Sequence, residues 1–135
     1  MTGNLKTFLF VCVHNSGRSQ MAAAYVNHLA GGKARGISAG TQPGDVVNPV
    51  VVEAMKEEGI DISGNKPQAL TMELIDQADR MITMGCGADA EGVCPASYIE
   101  MEDWQLDDPH GKPIEGVRKI RDEVKKRVMN LLESL

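Results

Sequence analysis

The segment Thr7–Val11 (TFLFV) constrains the fold more than any other part of the sequence. An uninterrupted apolar run of this length is typical of a central parallel strand that is buried on both faces. An amphipathic helix is predicted soon after it, over Arg18–Leu29, because apolar residues recur there at helical spacing. A buried strand followed by a helix predicts an α/β fold, since parallel strands need long crossover connections.

Strand and helix signals continue to alternate along the chain. Asn48 and Pro49 predict the start of a second helix, as N-cap and first helical residue, and Gly59 predicts its end near Glu58. The other predicted elements are strands over Ala34–Ala39, Arg80–Met84 and Tyr98–Met101, and helices over Leu70–Ala78 and Ile114–Leu132. This order predicts one α/β domain over residues 1–135, with right-handed crossovers and a site beyond the carboxyl ends of its strands.

Composition limits the class of protein further. The 135 residues suit one domain, and 42% apolar and 24% charged residues are ordinary globular values. The net charge of −5 disfavours a nucleic-acid partner. We expect no membrane contact and a cytoplasmic location, because no signal peptide is recognisable and no apolar stretch approaches roughly 20 residues. In that reducing compartment Cys12, Cys86 and Cys94 are expected to be catalytic, redox or metal-binding rather than structural.

The segment CVHNSGRS, residues 12–19, connects the first predicted strand to the first helix. Amides of such a loop, together with the helix N-terminus, form a nest for a tetrahedral oxyanion. The residues expected to line it are Val13, His14, Asn15, Ser16, Gly17, Arg18 and Ser19. Arg18 can clamp two oxygens with its planar guanidinium, and Asn15 and Gly17 tolerate the positive φ angles that a tight loop demands.

Cys12 faces the same positive field, which favours its thiolate, and Ser19 is placed to donate a hydrogen bond to it. The thiolate is the nucleophilic form of cysteine, so this position predicts a catalytic residue. The alternative interpretation is a buried core cysteine at the end of a strand, where free cysteines often lie.

The loop CVHNSGRS resembles the C-x5-R-S phosphate-binding loop of the low-molecular-weight tyrosine phosphatases and their arsenate reductase relatives. The similarity continues through SQMAAAYV, ISAGT, GIDIS and DDP, and it covers nearly the whole chain in order. It implies a four-stranded parallel sheet flanked by helices. It also implies that Asp108 is the general acid that protonates the leaving oxygen. Asp107 is the nearest alternative, and a turn-forming Asp without catalytic role is another.

Cys86 and Cys94 flank the spacer GADAEGV after the third strand, where thioredoxin-coupled arsenate reductases carry a cysteine pair. The resemblance implies that arsenate is reduced to arsenite, with Cys12 as first nucleophile, Cys86 as second thiol, Cys94 as resolving thiol and thioredoxin as reductant. Phosphate and sulfate would compete as oxyanions. The pair could also be two inert cysteines, or half of a zinc site with His110 as a weak further ligand.

Other functions stay open from the sequence alone. A tyrosine phosphatase needs aromatic side chains around the substrate ring, but the chain has only two Tyr, two Phe and one Trp, and His110 and Gly111 follow Pro109. A non-catalytic oxyanion-binding or redox-sensing module is a further alternative. Some reductases of this family hold a potassium ion through a glutamate whose place Ala23 takes here, so no metal or other cofactor is expected. Nothing in the sequence demands more than a monomer.

Overall fold

The computed structural model of the protein describes residues 6–84, 101–104, 106, 109 and 111–134. Its parallel sheet has the strand order β2-β1-β3-β4. The strands are β1 (Lys6–Cys12), β2 (Ala34–Gly40), β3 (Arg80–Thr83) and β4 (Met101–Asp103). The helices are α1 (Arg18–Leu29), α2 (Pro49–Lys56), α3 (Met72–Gln77) and α4 (Ile114–Glu133). The predicted α/β class, with a parallel sheet flanked by helices, is confirmed.

Helix boundaries follow local chemistry. The N-cap predicted for α2 is confirmed, since Asn48 Oδ1 accepts a hydrogen bond from Val50 N at 2.9 Å. This helix ends at Lys56, two residues before the predicted Glu58, and the turn that follows contains Gly59 with φ 78°. α3 is shorter than predicted because Thr71 caps it, with Oγ1 accepting from Leu74 N at 3.2 Å.

The end of β4 differs from the prediction. The strand runs to Asp103, two residues past the predicted end at Met101, and residues 98–100 of the predicted strand lie outside the described part of the chain. Its three residues pair with β3 at the sheet edge. So short an element gives almost no periodicity to read, which explains the displaced boundary.

β1 separates two apolar layers, because successive side chains of a strand point to opposite faces. Phe8, Phe10 and Cys12 lie in the larger core, which α1, α2 and α4 cover. Leu9 and Val11 lie in the smaller core on the other face, which α3 covers. All four apolar residues of this run are fully buried, as the sequence predicted.

Strand register places the carboxyl ends of β1, β2 and β3 at the same edge of the sheet. Cys12 at the end of β1 is paired in register with Gly40 at the end of β2. Val11 is paired with Thr83 at the end of β3. The carboxyl ends of these strands therefore meet at one edge of the sheet, where ligands bind in open α/β folds. Among the described helices, none combines the length and apolar character needed to cross a membrane.

Glu57, just after α2, joins that helix to α4. Arg118 Nη2 donates to Glu57 Oε2 at 2.7 Å, and Arg121 Nη1 donates to Glu57 Oε1 at 2.8 Å. These hydrogen bonds lower the pKa of Glu57 from 4.5 to about 2. Because the folded-state pKa is depressed, the stabilisation is complete above pH 4.5 and is lost as pH falls towards 2.

We therefore expect Glu57→Gln to lower the Tm at neutral pH, and the difference from wild type to shrink as pH falls from 4.5 through 2, because Glu57 becomes protonated over this range. The effect should be modest, since exposed ion pairs contribute little. Thermal unfolding followed by circular dichroism across this pH range measures it. Glu133→Gln, which changes an exposed carboxylate at the end of α4, is the control. A constant Tm difference at all pH values would contradict the assignment to this ion pair.

Candidate active site

Cys12 ends β1 at the point where the chain turns into α1. Its side chain is 4% exposed, and its Sγ lies 2.9 Å from Ser19 Oγ. Arg18, which begins α1, is buried to a similar degree. Cys12 and Arg18 both contribute to the wall of a cavity of about 570 Å³, which residues of the loop between them and of the 44–49 segment also line. The structure thus brings together the predicted nucleophile and the predicted oxyanion clamp.

The loop carbonyls are turned towards residues 41–48, which we call the rim segment. The hydrogen bonds are Thr41 N to Cys12 O at 3.2 Å, Gln42 N to Val13 O at 2.8 Å, Gly44 N to His14 O at 3.0 Å and Asn48 N to Ser16 O at 2.9 Å. All peptide bonds in the described part of the chain are trans, so each N–H points opposite to the carbonyl of its own peptide unit. The N–H groups of Val13, His14, Asn15 and Gly17 are therefore turned away from these rim amides.

These amides and the first turn of α1 make a donor-rich surface next to Cys12. The first N–H groups of a helix have no intrahelical acceptor, and they carry partial positive charge. Arg18 adds a full charge with fork geometry suited to two oxygens of one anion. Such an arrangement can hold a tetrahedral oxyanion with its central atom against the Cys12 sulfur.

Asn15 determines the direction of the hydrogen bonds that reach the nucleophile. Its Oδ1 accepts from the backbone N–H of Gln68 at 2.9 Å, so its Nδ2 is the group that donates to Ser19 Oγ at 2.7 Å. Since Ser19 Oγ accepts there, its own proton is free to point at Cys12 Sγ. The chain of donors runs from Gln68 N through Asn15 and Ser19 to the Cys12 sulfur.

The predicted backbone conformation is confirmed for Asn15 and wrong for Gly17. Asn15 has φ 53°, in the left-handed region that Asn tolerates best after Gly. Gly17, the N-cap of α1, has φ −145°. The structure gives a different reason for glycine there, because a Cβ would lie 2.6 Å from Pro109 Cγ. Residues 17 and 109 can approach this closely only without that side chain.

A second contact joins the loop to the chain before α4. Arg18 Nη1 donates to Leu106 O at 3.2 Å. With the contact of Pro109 on Gly17, it places Leu106 and Pro109, the described residues on either side of the predicted acid, beside the oxyanion loop. Asp107 and Asp108 themselves lie outside the described residues, as do Cys86, Cys94 and His110.

The remaining predicted loop residues differ in their surroundings. Val13 is buried, whereas His14 is exposed and its Nδ1 lies 3.0 Å from Gln42 O. Ser16 Oγ donates back to His14 O at 3.2 Å. These two polar side chains brace the loop against itself and the rim segment.

Sequence reasoning missed the rim segment, and it missed Gln20 and Gln68. Gln68 N donates to Asn15 Oδ1, and Gln68 Nε2 donates to Ser38 O at 2.8 Å. These contacts span 53 and 30 residues and leave no local pattern. Gln20 did leave a signal, because a polar residue that follows the Arg-Ser pair at the start of a buried helix must find buried partners.

Residues 7–135 match the family described as low molecular weight phosphotyrosine protein phosphatase. The chain belongs to this family, as the loop and the surrounding motifs predicted. Among individual relatives, the glutaredoxin arsenate reductase of Synechocystis sp. is 37% identical over 135 residues, covering 97% of this chain and 99% of its own length.

Solved structures agree with this membership. A structure of an arsenate reductase in the phosphate binding state has a TM-score of 0.84 and 37% identity, over 96% of this chain and 98% of that one. The thioredoxin-dependent arsenate reductase of Corynebacterium glutamicum has a TM-score of 0.75 and 35% identity, over 96% of this chain. The present chain spans 60% of the length of that Corynebacterium protein.

Proposed function

We propose that this protein is an arsenate reductase, which converts arsenate to arsenite and so serves arsenic detoxification. One observation carries the proposal: the Cys12 thiol lies 2.9 Å from a hydroxyl donor, in the wall of a cavity that it shares with the buried Arg18. Relatives named arsenate reductase that align over almost the entire chain support arsenate as the substrate.

In the first step the Cys12 thiolate attacks the arsenic atom of bound arsenate. An S–As bond forms, and one oxygen leaves as water after it has been protonated. Asp108 supplies that proton, a contribution of roughly 100- to 10,000-fold in rate. Arg18 and the amides of residues 13–19 hold the other oxygens and stabilise the charge that develops on them.

The second step reduces arsenic. The Cys86 thiolate attacks the Cys12 sulfur, so that an S–S bond forms while the S–As bond breaks and its electron pair stays on arsenic. Arsenite with As(III) is released, and the two thiols have supplied its two electrons. Cys94 then attacks Cys86, which returns Cys12 as a thiolate and leaves a Cys86–Cys94 disulfide.

Thioredoxin is the reductant we propose for this last disulfide. Three protein thiols close the cycle within the chain, so the product is a protein disulfide of the kind that a dithiol reductant exchanges with. Relatives named for thioredoxin and for glutaredoxin make the latter the natural comparison. We place the reaction in the cytoplasm, where thiols are kept reduced, and in a monomer.

Coupled turnover tests the proposal. We expect oxidation of thioredoxin, followed through thioredoxin reductase and NADPH, only when arsenate is present, with one arsenite formed per dithiol consumed. Glutaredoxin with glutathione should be slower. Phosphate in place of arsenate should consume no reducing equivalents and should inhibit by competition. Arsenate-independent oxidation, or none at all with either reductant, would contradict the proposal.

Phosphatase activity is the second candidate, and membership of a phosphotyrosine phosphatase family favours it. The same loop can bind phosphate, because phosphate and arsenate share shape and charge. In that reaction Cys12 would form a phosphocysteine that water hydrolyses, without any role for Cys86 or Cys94. Release of phosphate from an aryl phosphate at an unchanged rate in Cys86→Ser would identify it.

A further inference from the structure

Gln20 lies behind the oxyanion loop on the first turn of α1, with its side chain held at both ends. Nε2 donates to Asn15 O at 3.1 Å and to Asn15 Oδ1 at 3.2 Å, and Lys66 O lies 3.5 Å away. Oε1 accepts from Asn65 Nδ2 at 3.1 Å. The residue is only 4% exposed, so water cannot replace these partners easily.

The atoms around Gln20 Nε2 are all hydrogen-bond acceptors, so only a donor group fits at this position. Three oxygens face this one nitrogen, and carbonyl oxygens can accept but not donate. Methionine would fill the same volume but donate no hydrogen bond, so Asn15 O would lose its bond from Gln20 and Asn15 Oδ1 would keep only the one from Gln68 N. Glutamate would bring a negative oxygen against them, which is worse still. The site therefore discriminates between side chains of nearly equal size by their hydrogen-bonding groups.

Gln20 donates its hydrogen bonds to Asn15, which has a strained backbone conformation. Asn15 is the non-glycine residue with positive φ in the described part of the chain, and such conformations persist only when the surroundings hold them. Gln20 binds both the backbone oxygen and the side-chain oxygen of Asn15. It thereby restrains the dihedral angles of the loop and the direction of the amide that donates to Ser19, which in turn lies against Cys12.

We propose that Gln20 is a positioning residue for Cys12. Gln20 keeps the oxyanion loop in the conformation that binds the anion. It acts through Asn15 and does not touch the anion. A preformed loop spends no binding energy on reorganisation, so the loss of Gln20 weakens oxyanion binding as well as chemistry. The proposal needs the oxyanion loop but not the arsenate reaction.

The test uses phosphate protection of Cys12 against alkylation by iodoacetamide in the reduced protein, a readout that requires no turnover. Trypsin cleaves after Lys6 and Arg18, and the peptide 7–18 contains Cys12 as its only cysteine, so mass spectrometry reports this thiol alone. The variants are Gln20→Met and Gln20→Glu. The control is Asn27→Leu, since Asn27 also lies on α1 and makes two amide hydrogen bonds, both to Gly36, with a side chain that is exposed.

We expect phosphate to protect Gln20→Met about tenfold less well than wild type, as for one lost buried hydrogen bond, and Gln20→Glu to be weaker again at neutral pH. Asn27→Leu, which loses its two hydrogen bonds to Gly36, should bind phosphate normally. If Gln20→Glu does not fold, Gln20→Met decides alone. Wild-type phosphate protection in Gln20→Met, or an equal loss in Asn27→Leu, would show that Gln20 serves general packing and would overturn the proposal.

Discussion

Replacing Cys12 by serine is expected to abolish arsenate reduction and any phosphatase activity, with losses of about 10⁴-fold or more. A serine hydroxyl is not ionised near neutral pH, so the nucleophile is lost. The donor chain through Asn15 and Ser19 is arranged to stabilise an anion at this position, and the hydroxyl cannot supply one. Initial rates of arsenite formation, with thioredoxin in excess, measure the effect.

The same variant contains its own control for folding. Arg18 and the loop amides remain in place, so phosphate should still raise the Tm of Cys12→Ser by about as much as that of wild type. Loss of turnover together with preserved phosphate binding identifies a missing nucleophile. More than a few per cent of residual turnover would move the nucleophile to another residue, and loss of phosphate binding would mean that the loop had collapsed.

The first third of the chain could be predicted closely because its signals are local. The bounds of α1 match the prediction, since helical periodicity begins directly at Arg18 and ends at Leu29. β1 extends the apolar run by one residue at each end, to Lys6 and Cys12. These elements set the position of the oxyanion loop, so the candidate site was predictable in its main parts.

Contacts between distant segments were beyond prediction from the sequence. The link from Gln68 to Asn15 depends on how the chain returns to the sheet edge, and no spacing rule encodes it. Gly17 is a second example of a contact between distant segments that the sequence did not reveal. Its presence was attributed to backbone conformation, whereas the structure assigns it to the close approach of Pro109 from 92 residues further along the sequence. Local propensity cannot report a steric requirement that another element creates.

The second large expected effect concerns the proposed order of the thiol steps. Steady-state rates cannot distinguish the role of the second thiol, Cys86, from that of the resolving thiol, Cys94. Both Cys86→Ser and Cys94→Ser should stop multiple turnover with thioredoxin. They should differ in the first cycle. In the proposed cycle Cys94 acts only after arsenic has left, whereas Cys86 supplies the attack that breaks the S–As bond.

In a single-turnover experiment, Cys94→Ser should therefore release about one arsenite per protein and stop with a Cys12–Cys86 disulfide. Cys86→Ser should release far less, because the arsenic adduct on Cys12 has no internal attacker. Arsenite is quantified after a brief exposure of reduced protein to arsenate, and mass spectrometry identifies the disulfides after digestion with trypsin and Glu-C. Trypsin separates Cys12 from the other two cysteines but leaves Cys86 and Cys94 on one peptide, which cleavage after Glu91 divides. A Cys12–Cys94 disulfide in wild type, with Cys86 free, would reverse the proposed order. If arsenate produces no disulfide in any of the three proteins, the reductase proposal fails and the phosphatase takes its place.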